Sequence, residues 1–186
     1  MKVLVVCEDP THDQHVVKPI VERAMEELGF TASVSVLDDP HLRGIAHLLA
    51  ELPAIVADAR MVQLLVVAID NDCDRQRNRA KIENAATQDP RIVTCCAMEE
   101  VETWMLALHR ETLGAPWPDV RAHCDVKEAF AVPFLVRNGL QSGPGRGRKA
   151  AMRALRGNWR PLLNACPELR TLMSDIQRSV QTTRGS

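Results

Sequence analysis

Four short apolar runs, each followed by an amphipathic stretch, make up the first half of this 186-residue chain. The runs span residues 2–7, 31–37, 63–69 and 91–97. They are apolar throughout and do not alternate with polar positions, which is typical of parallel strands covered by helices on both faces. The pattern therefore predicts an α/β fold with a parallel sheet.

The stretches between these runs have helical spacing. Val16, Ile20 and Ala24 recur every four residues, and Gly29 follows as a helix terminator. Helices are predicted over about residues 14–29, 42–58, 75–87 and 99–110. Strands that alternate with helices in this order support the parallel sheet.

The pattern changes after Gly114. Pro116, Trp117 and Pro118 predict a loop. Shorter helical pieces are predicted at about residues 125–137, 148–156 and 167–181. Between them, residues 142–149 (SGPGRGRK) have the Gly-rich, basic composition of a linker.

Length and composition limit the number of domains. A chain of 186 residues can form one core with a helical appendage, but it is too short for two full α/β domains. We therefore expect an α/β core over residues 1–112. Residues 113–186 are expected to form a helical, basic C-terminal extension packed on or beside that core. The composition, 46% hydrophobic and 25% charged, favours a folded chain over a disordered one.

Charge is divided unevenly along the chain. Residues 1–130 carry 13 Lys/Arg and 22 Asp/Glu, a net charge of −9, whereas residues 131–186 carry 10 and 2, a net charge of +8. An acidic part suits cation binding and a basic part suits phosphate binding, so together they fit an enzyme that acts on a polyanion. The alternative is that basic helices simply dock on an acidic core.

The N-terminal MKVLVVCEDP has neither the long apolar segment nor the cleavage site of a signal peptide. No run approaches the roughly 18 apolar residues that span a bilayer. These features predict a cytoplasmic protein without membrane contact. The six cysteines form no C-x-x-C pair, and several lie in apolar runs, where cysteine acts as a small hydrophobic residue. A structural zinc site is therefore not expected.

Carboxylates follow three of the four predicted strands, at the edge where an open parallel sheet binds its ligands. The residues concerned are Glu8 and Asp9 after the first strand, Asp70, Asp72 and Asp74 after the third, and Glu99, Glu100 and Glu102 after the fourth. Clustered carboxylates repel one another unless a cation neutralises them, and hard oxygen ligands favour Mg²⁺ or Mn²⁺. The sequence therefore predicts a Mg²⁺ or Mn²⁺ site at this edge.

Spacing decides which carboxylates can share a cation. Asp70 and Asp72 are two residues apart, so their side chains point the same way on an extended strand exit. Glu99 and Glu102 share a face if the next stretch is helical, whereas Glu100 and Glu102 align if it is extended. Glu102 fits both arrangements. A helix N-terminus, where the macrodipole favours glutamate, is the alternative explanation for this group.

These residues resemble the Toprim domain family, especially small Toprim-like proteins related to the nuclease domain of the overcoming-lysogenization-defect nucleases. VVCEDPTHD (5–13), AIDNDCD (68–74) and AMEEVETWMLAL (97–108) carry the resemblance, which covers about residues 1–110. The metal ligands that it implies are Glu8, Asp70, Asp72, Glu100 and Glu102. One departure is Asp9, which stands where the family usually has glycine.

The resemblance implies a Toprim-like parallel sheet flanked by helices and a Mg²⁺- or Mn²⁺-dependent nuclease or related phosphodiesterase. Small members of the family are often parts of phage-defence or mobile-element systems. The expected partners are nucleic acid, DNA more than RNA, and a protein from the same system, with a homodimer as an option. The alternative is a non-catalytic Toprim-like module that binds nucleic acid or protein. A third candidate class is a phosphotransfer receiver-like domain, which also has a parallel sheet with acidic strand ends. Such a domain requires an Asp at the end of the third strand and a Lys after a later strand, and the sequence meets this requirement only in part.

Basic side chains are candidates for phosphate contacts. Arg146, Arg148, Lys149 and Arg153 combine a Gly-rich loop with a predicted helix and could cradle a nucleic-acid backbone. Lys127 is a candidate catalytic residue that would steady the scissile phosphate as a point charge. Glu8 and Glu102 are the other expected catalytic residues, as ligands or as a general base.

Two histidines add an alternative at the first strand exit. His12 and His15 are three residues apart and could bind a transition metal together with Glu8 or Asp9. An exposed helix start with Asp13 in its first turn is the more usual explanation for such a segment.

Overall fold

A computed structural model describes residues 1–71, 73 and 75–184 of the chain. Its strands are β1 (Lys2–Cys7), β2 (Ser33–Val36), β3 (Leu64–Ile69) and β4 (Ile92–Cys96). They form one sheet in the order β2-β1-β3-β4, and every neighbouring pair is parallel. Helices flank this sheet and a helical extension follows it, so the predicted α/β fold class is confirmed.

Helices connect the strands and cover the sheet. The first four are α1 (Gln14–Glu27), α2 (Gly44–Asp58), α3 (Arg75–Ala86) and α4 (Glu102–Ala107). They are followed by α5 (Trp117–Ala122), α6 (Val132–Arg137), α7 (Arg148–Ala151), α8 (Leu155–Ala165) and α9 (Pro167–Arg184). Single helical turns span Arg110–Thr112, Lys127–Ala131, Pro144–Gly147 and Met152–Ala154.

Two helices of the second half differ from the prediction. The expected loop at residues 116–118 is the start of α5, where Pro116 is extended and Pro118 lies in the first helical turn. Proline is tolerated there because its missing N–H would have no partner inside the helix. Helix α8 was not predicted, because Gly157 and Pro161 are turn signals; the helix forms with a kink at Asn158.

The two faces of the sheet belong to two hydrophobic cores. Val67 shares one core with Leu52 of α2 and Ile82 of α3. Val66, its neighbour on the strand, points to the other face and shares a core with Ile176 of α9, along with α1 and the other C-terminal helices. Each fully buried aliphatic side chain contributes roughly 1.5–3 kcal/mol. The C-terminal helices therefore complete one face of the sheet.

The strand register sets the positions of the acidic exits. Cys7 pairs with Ala68, and Ile69 pairs with Cys96. The chain therefore leaves β1, β3 and β4 side by side at one edge of the sheet, as the strand pattern predicts. No helix in the described part of the chain is long and apolar enough to cross a membrane.

Candidate metal site

Glu8 joins the carboxyl ends of β1 and β3. It is buried, and its carboxylate accepts a hydrogen bond of 2.8 Å from the backbone N–H of Asp70. The carboxylate of Asp70 in turn accepts a hydrogen bond of 2.9 Å from the N–H of Val101, just before α4. The structure therefore brings Glu8 and Asp70 together and ties both to the segment that follows β4.

Asp13 also lies in this cluster. The sequence suggested an exposed helix start, but Asp13 is only 6% exposed. Its N–H binds the carbonyl of Asp9 at 3.0 Å, and its carboxylate accepts a hydrogen bond of 3.1 Å from the N–H of Asp9. These two bonds fold the side chain back onto the exit of β1. Sequence reasoning missed Asp13 because an acidic residue before a helix usually points to solvent.

These carboxyl groups are close enough to affect one another's protonation. Burial raises the pKa of Asp70 well above its ordinary range, and the charges of Asp13, Glu102 and Glu8 raise it further. Burial also raises the pKa of Asp13 to about 7, and the nearby Glu102 adds to this shift. A bound proton or a bound cation relieves such repulsion.

Glu102 has a different partner from the one predicted. It begins α4, and its Oε1 accepts hydrogen bonds from Arg148, from Nε at 2.9 Å and from Nη2. Both side chains are 2% exposed, and Nη1 of Arg148 donates to the carbonyl of Gly145 at 3.0 Å. The negative charge of Glu102 is therefore balanced by a buried guanidinium.

Arg148 is consequently not where the sequence suggested. The spacing of basic residues indicated a surface contact with phosphate, whereas the guanidinium is buried against Glu102. Arg146, Lys149 and Arg153 are exposed, as that interpretation requires. The segment therefore separates into one internal arginine and several surface cations.

Glu99 holds the loop that follows β3. Its carbonyl accepts the N–H of Asn71 at 2.7 Å, and its carboxylate accepts the N–H of Cys73 at 2.8 Å. Its φ of +65° is left-handed, a region that costs a non-glycine residue roughly 1–2 kcal/mol. These bonds hold Asn71 and Cys73 in place, so Glu99 is a positioning residue, a role that the sequence did not indicate.

Glu100 points to the C-terminal extension. Its carboxylate accepts a hydrogen bond from the backbone N–H of Lys127. Burial raises the pKa of Glu100 to about 7, although this hydrogen bond acts in the opposite direction. The three glutamates after β4 therefore bind three different partners, namely the loop after β3, the turn at Lys127 and the guanidinium of Arg148.

Asp72 and Asp74 lie outside the described residues. Within residues 1–71, 73 and 75–184, no three His, Cys, Asp or Glu side chains have the arrangement of a metal site. Glu8, Asp13 and Asp70 each accept a backbone hydrogen bond, and a cation would share their oxygens with these donors.

His12, in the loop after β1, and His15, in the first turn of α1, both have structural partners. Nδ1 of His12 lies 2.8 Å from a carboxylate oxygen of Asp9. Burial opposes ionisation of Asp9, but the bond to His12 lowers the pKa of that carboxyl. His15 packs under the Gly-rich turn so closely that a Cβ on Gly145 would lie 2.2 Å from its ring. Residues 142–149 are therefore packed onto α1 and are not a free linker.

A disulfide connects the loop after β3 to the C-terminal extension. It joins Cys73 to Cys124, whose Cα atoms are 5.4 Å apart, and both residues are exposed. Cys7, Cys95 and Cys166 are buried free thiols, as expected for small hydrophobic residues. Sequence spacing cannot reveal a pairing across 51 residues, because only the fold brings the two cysteines together.

Cys124→Ser is expected to lower the free energy of unfolding by about 2–4 kcal/mol, because the disulfide closes a long loop and restricts the unfolded chain. Urea denaturation under oxidising conditions, compared with wild type, measures the difference. The same variant in reductant should match reduced wild type, which is the control. Equal midpoints for oxidised and reduced wild type would contradict the expected contribution.

The structure thus brings Glu8, Asp13 and Asp70 together at the carboxyl ends of the strands and places Glu102 against Arg148 of the C-terminal extension. Comparisons of the chain with protein-family models, with curated proteins and with solved structures found no match.

Proposed function

We propose that this chain is a divalent-metal-dependent nuclease or related phosphodiesterase that acts on nucleic acid. The observation that carries the proposal is the meeting of Glu8, Asp13 and Asp70 at the carboxyl edge of the sheet. Asp9, whose N–H binds the carboxylate of Asp13, lines a cavity together with Lys127 and Arg146. Carboxylates suit a cation and basic side chains suit a phosphate. The Toprim resemblance of the same segments supports this function.

The donor atoms at this edge fit Mg²⁺ or Mn²⁺, because they are hard oxygens. Glu8 and Asp70 would hold the cation, and Asp72 would add the second carboxylate of the D-x-D motif. A cation bound here would polarise the phosphate and lower the pKa of an attacking water.

The protein's own groups would handle the proton and the phosphate. Asp13 has a pKa of about 7, so near neutral pH it can accept a proton from water as a general base. Lys127 would face the negative charge of the phosphate, because it lines the adjacent cavity. Arg148 would keep Glu102 and the start of α4 in position, since it binds that carboxylate.

The exposed cations Arg146, Lys149 and Arg153 are proposed to contact the nucleic-acid backbone. Their simultaneous replacement with alanine is expected to weaken DNA binding and to flatten its salt dependence by about 0.9 unit of slope per lost contact. Fluorescence anisotropy of a labelled duplex over a series of salt concentrations measures the slope. Arg60→Ala is the control, because Arg60 is exposed between α2 and β3, at the opposite edge of the sheet. An unchanged slope in the triple variant would remove these residues from the interface.

A second candidate function is a non-catalytic module that binds nucleic acid or protein. The pairing of Glu102 with Arg148 favours it, because this carboxylate is already neutralised inside the protein. Plasmid and oligonucleotide cleavage assays with Mg²⁺, Mn²⁺ and EDTA separate the two candidates. If the protein is a nuclease, it should cleave the nucleic acid with Mg²⁺ or Mn²⁺ and should not cleave it with EDTA. Binding without cleavage under all three conditions would support the module.

A further inference from the structure

The cavity beside the candidate metal site has two chemically different walls. Its basic wall includes Lys127, from the single turn before α6, and Arg146, from the Gly-rich turn before α7. Its apolar wall is formed by Val132, Leu135 and Val136 of α6. The volume is about 180 Å³. A ligand that fills it must therefore satisfy both a basic and an apolar surface.

The basic wall has two cations without a salt bridge among the described residues, although the charge of Lys127 also acts on Glu100 and opposes the rise in the pKa of that carboxyl. No salt bridge joins Lys127 or Arg146 to any other residue that the structure describes. Arg148 also lines the cavity, but Glu102 already neutralises it. Glu128 and Asp9 line the cavity as well and oppose an anion there, although the carboxylate of Asp9 is bound to the ring of His12.

The backbone fixes Arg146 at this position. Its φ of +51° is left-handed, which is uncommon for a residue with a Cβ and is often found at functional sites. The glycines on either side pack tightly, Gly145 against His15 and Gly147 against the carbonyl of Leu140. Arg146 is therefore held at the cavity by a packed turn, so little chain entropy would be lost when it binds a ligand.

The apolar wall exposes side chains that are normally buried. Val132 is 36% exposed and Val136 is 53% exposed. Both lie on α6, next to the basic wall. Exposed apolar groups at a cavity gain free energy when a ligand covers them. An anionic group joined to an apolar ring would fit both walls.

We propose that this cavity is the subsite for one nucleotide unit of the substrate. Its phosphate binds against Lys127 and Arg146, and its base or sugar covers Val132 and Val136. The inference rests on the proposed function and deepens it, because it names the unit of nucleic acid held next to the acidic cluster. A free mononucleotide should therefore bind at the cavity even when no metal is present.

Calorimetric titrations in EDTA test this subsite with three probes: deoxyadenosine 5′-monophosphate, inorganic phosphate and deoxyadenosine. The mononucleotide should bind more tightly than either part of it. Arg146→Gln should weaken the binding of both the mononucleotide and phosphate by about tenfold, because a charged hydrogen bond is lost. Val136→Ser should weaken the binding of the mononucleotide several-fold and leave the affinity for phosphate unchanged. Glu128→Gln should strengthen the binding of both anions, because a negative charge is removed from the cavity.

Arg60→Ala is the matched control, since it removes the same charge at the opposite edge of the sheet. Equal weakening by Arg60→Ala and Arg146→Gln, or a mononucleotide that binds no better than phosphate, would overturn the subsite. Lys127→Gln repeats the test if Arg146→Gln is unfolded by circular dichroism. Mononucleotide binding without metal-dependent cleavage of nucleic acid would support the subsite and contradict the nuclease function. Cleavage without mononucleotide binding would contradict the subsite and leave the nuclease function supported.

Discussion

Asp70→Asn is expected to abolish metal-dependent cleavage and leave the protein folded. Asparagine keeps the size of the side chain, and its carbonyl can still accept the N–H of Val101, but it lacks the charge that holds a cation. Even outer partners of metal ligands contribute about 10- to 100-fold to metal affinity or activity, so loss of a ligand should reduce cleavage by more than about 100-fold. Cleavage rates with Mg²⁺ and Mn²⁺ measure the effect.

The metal-free Asp70→Asn protein should be at least as stable as wild type, because burial and the neighbouring carboxylates disfavour an ionised Asp70 in the folded state, and asparagine carries no charge. Asp58→Asn is the matched control, since Asp58 is exposed at the end of α2, away from the acidic edge. Wild-type cleavage rates for Asp70→Asn would contradict the role of this carboxylate. A large loss in Asp58→Asn would show that the effect is not specific to the site.

Arg148→Met is expected to lower the free energy of unfolding by about 3–5 kcal/mol. The substitution leaves Glu102 buried without its counter-charge, and an unpaired buried charge is far more costly than an exposed one. Urea denaturation at neutral pH measures the difference. Combining Arg148→Met with Glu102→Leu should recover much of the loss, because an apolar pair can replace a buried ion pair at little cost.

An exposed ion pair provides the comparison for this experiment. Arg178 is 75% exposed and binds Asp175 at 3.0 Å, so Arg178→Ala should cost less than about 1 kcal/mol. If Arg148→Met is no more destabilising than Arg178→Ala, the buried pair with Glu102 does not support the start of α4. A double variant less stable than Arg148→Met would likewise contradict the predicted recovery.

The sheet could be predicted from the sequence because its strands are continuous apolar runs. The predicted run at residues 2–7 is β1 (Lys2–Cys7), and that at 63–69 contains β3 (Leu64–Ile69). Helices α5 and α8 could not be predicted in this way, since local proline and glycine indicate turns. Burial of Val120 and Leu162 in the core overrides those local signals.

The candidate site was only partly predictable. Glu8 and Asp70 follow strands, so their meeting at one edge follows from parallel topology. Asp13 could not be recognised, because only the turn after β1 folds it into the cluster. Arg148 has the spacing of a surface phosphate contact, and only the contact with Glu102 shows that it is internal. Contacts between residues far apart in the sequence cannot be predicted from the spacing of neighbouring residues.

The most direct test of the central claim is a calorimetric titration of the metal-free protein with Mn²⁺ and Mg²⁺ at neutral pH, in two buffers with different heats of ionisation. The acidic edge is predicted to bind the metal and release protons, because the raised pKa values of Asp13 and Asp70 keep protons on the metal-free protein. Affinity should therefore increase as the pH rises through about 7, and Asp70→Asn should lose it. Wild-type protein that binds neither metal at millimolar concentration, with or without nucleic acid, would contradict the claim.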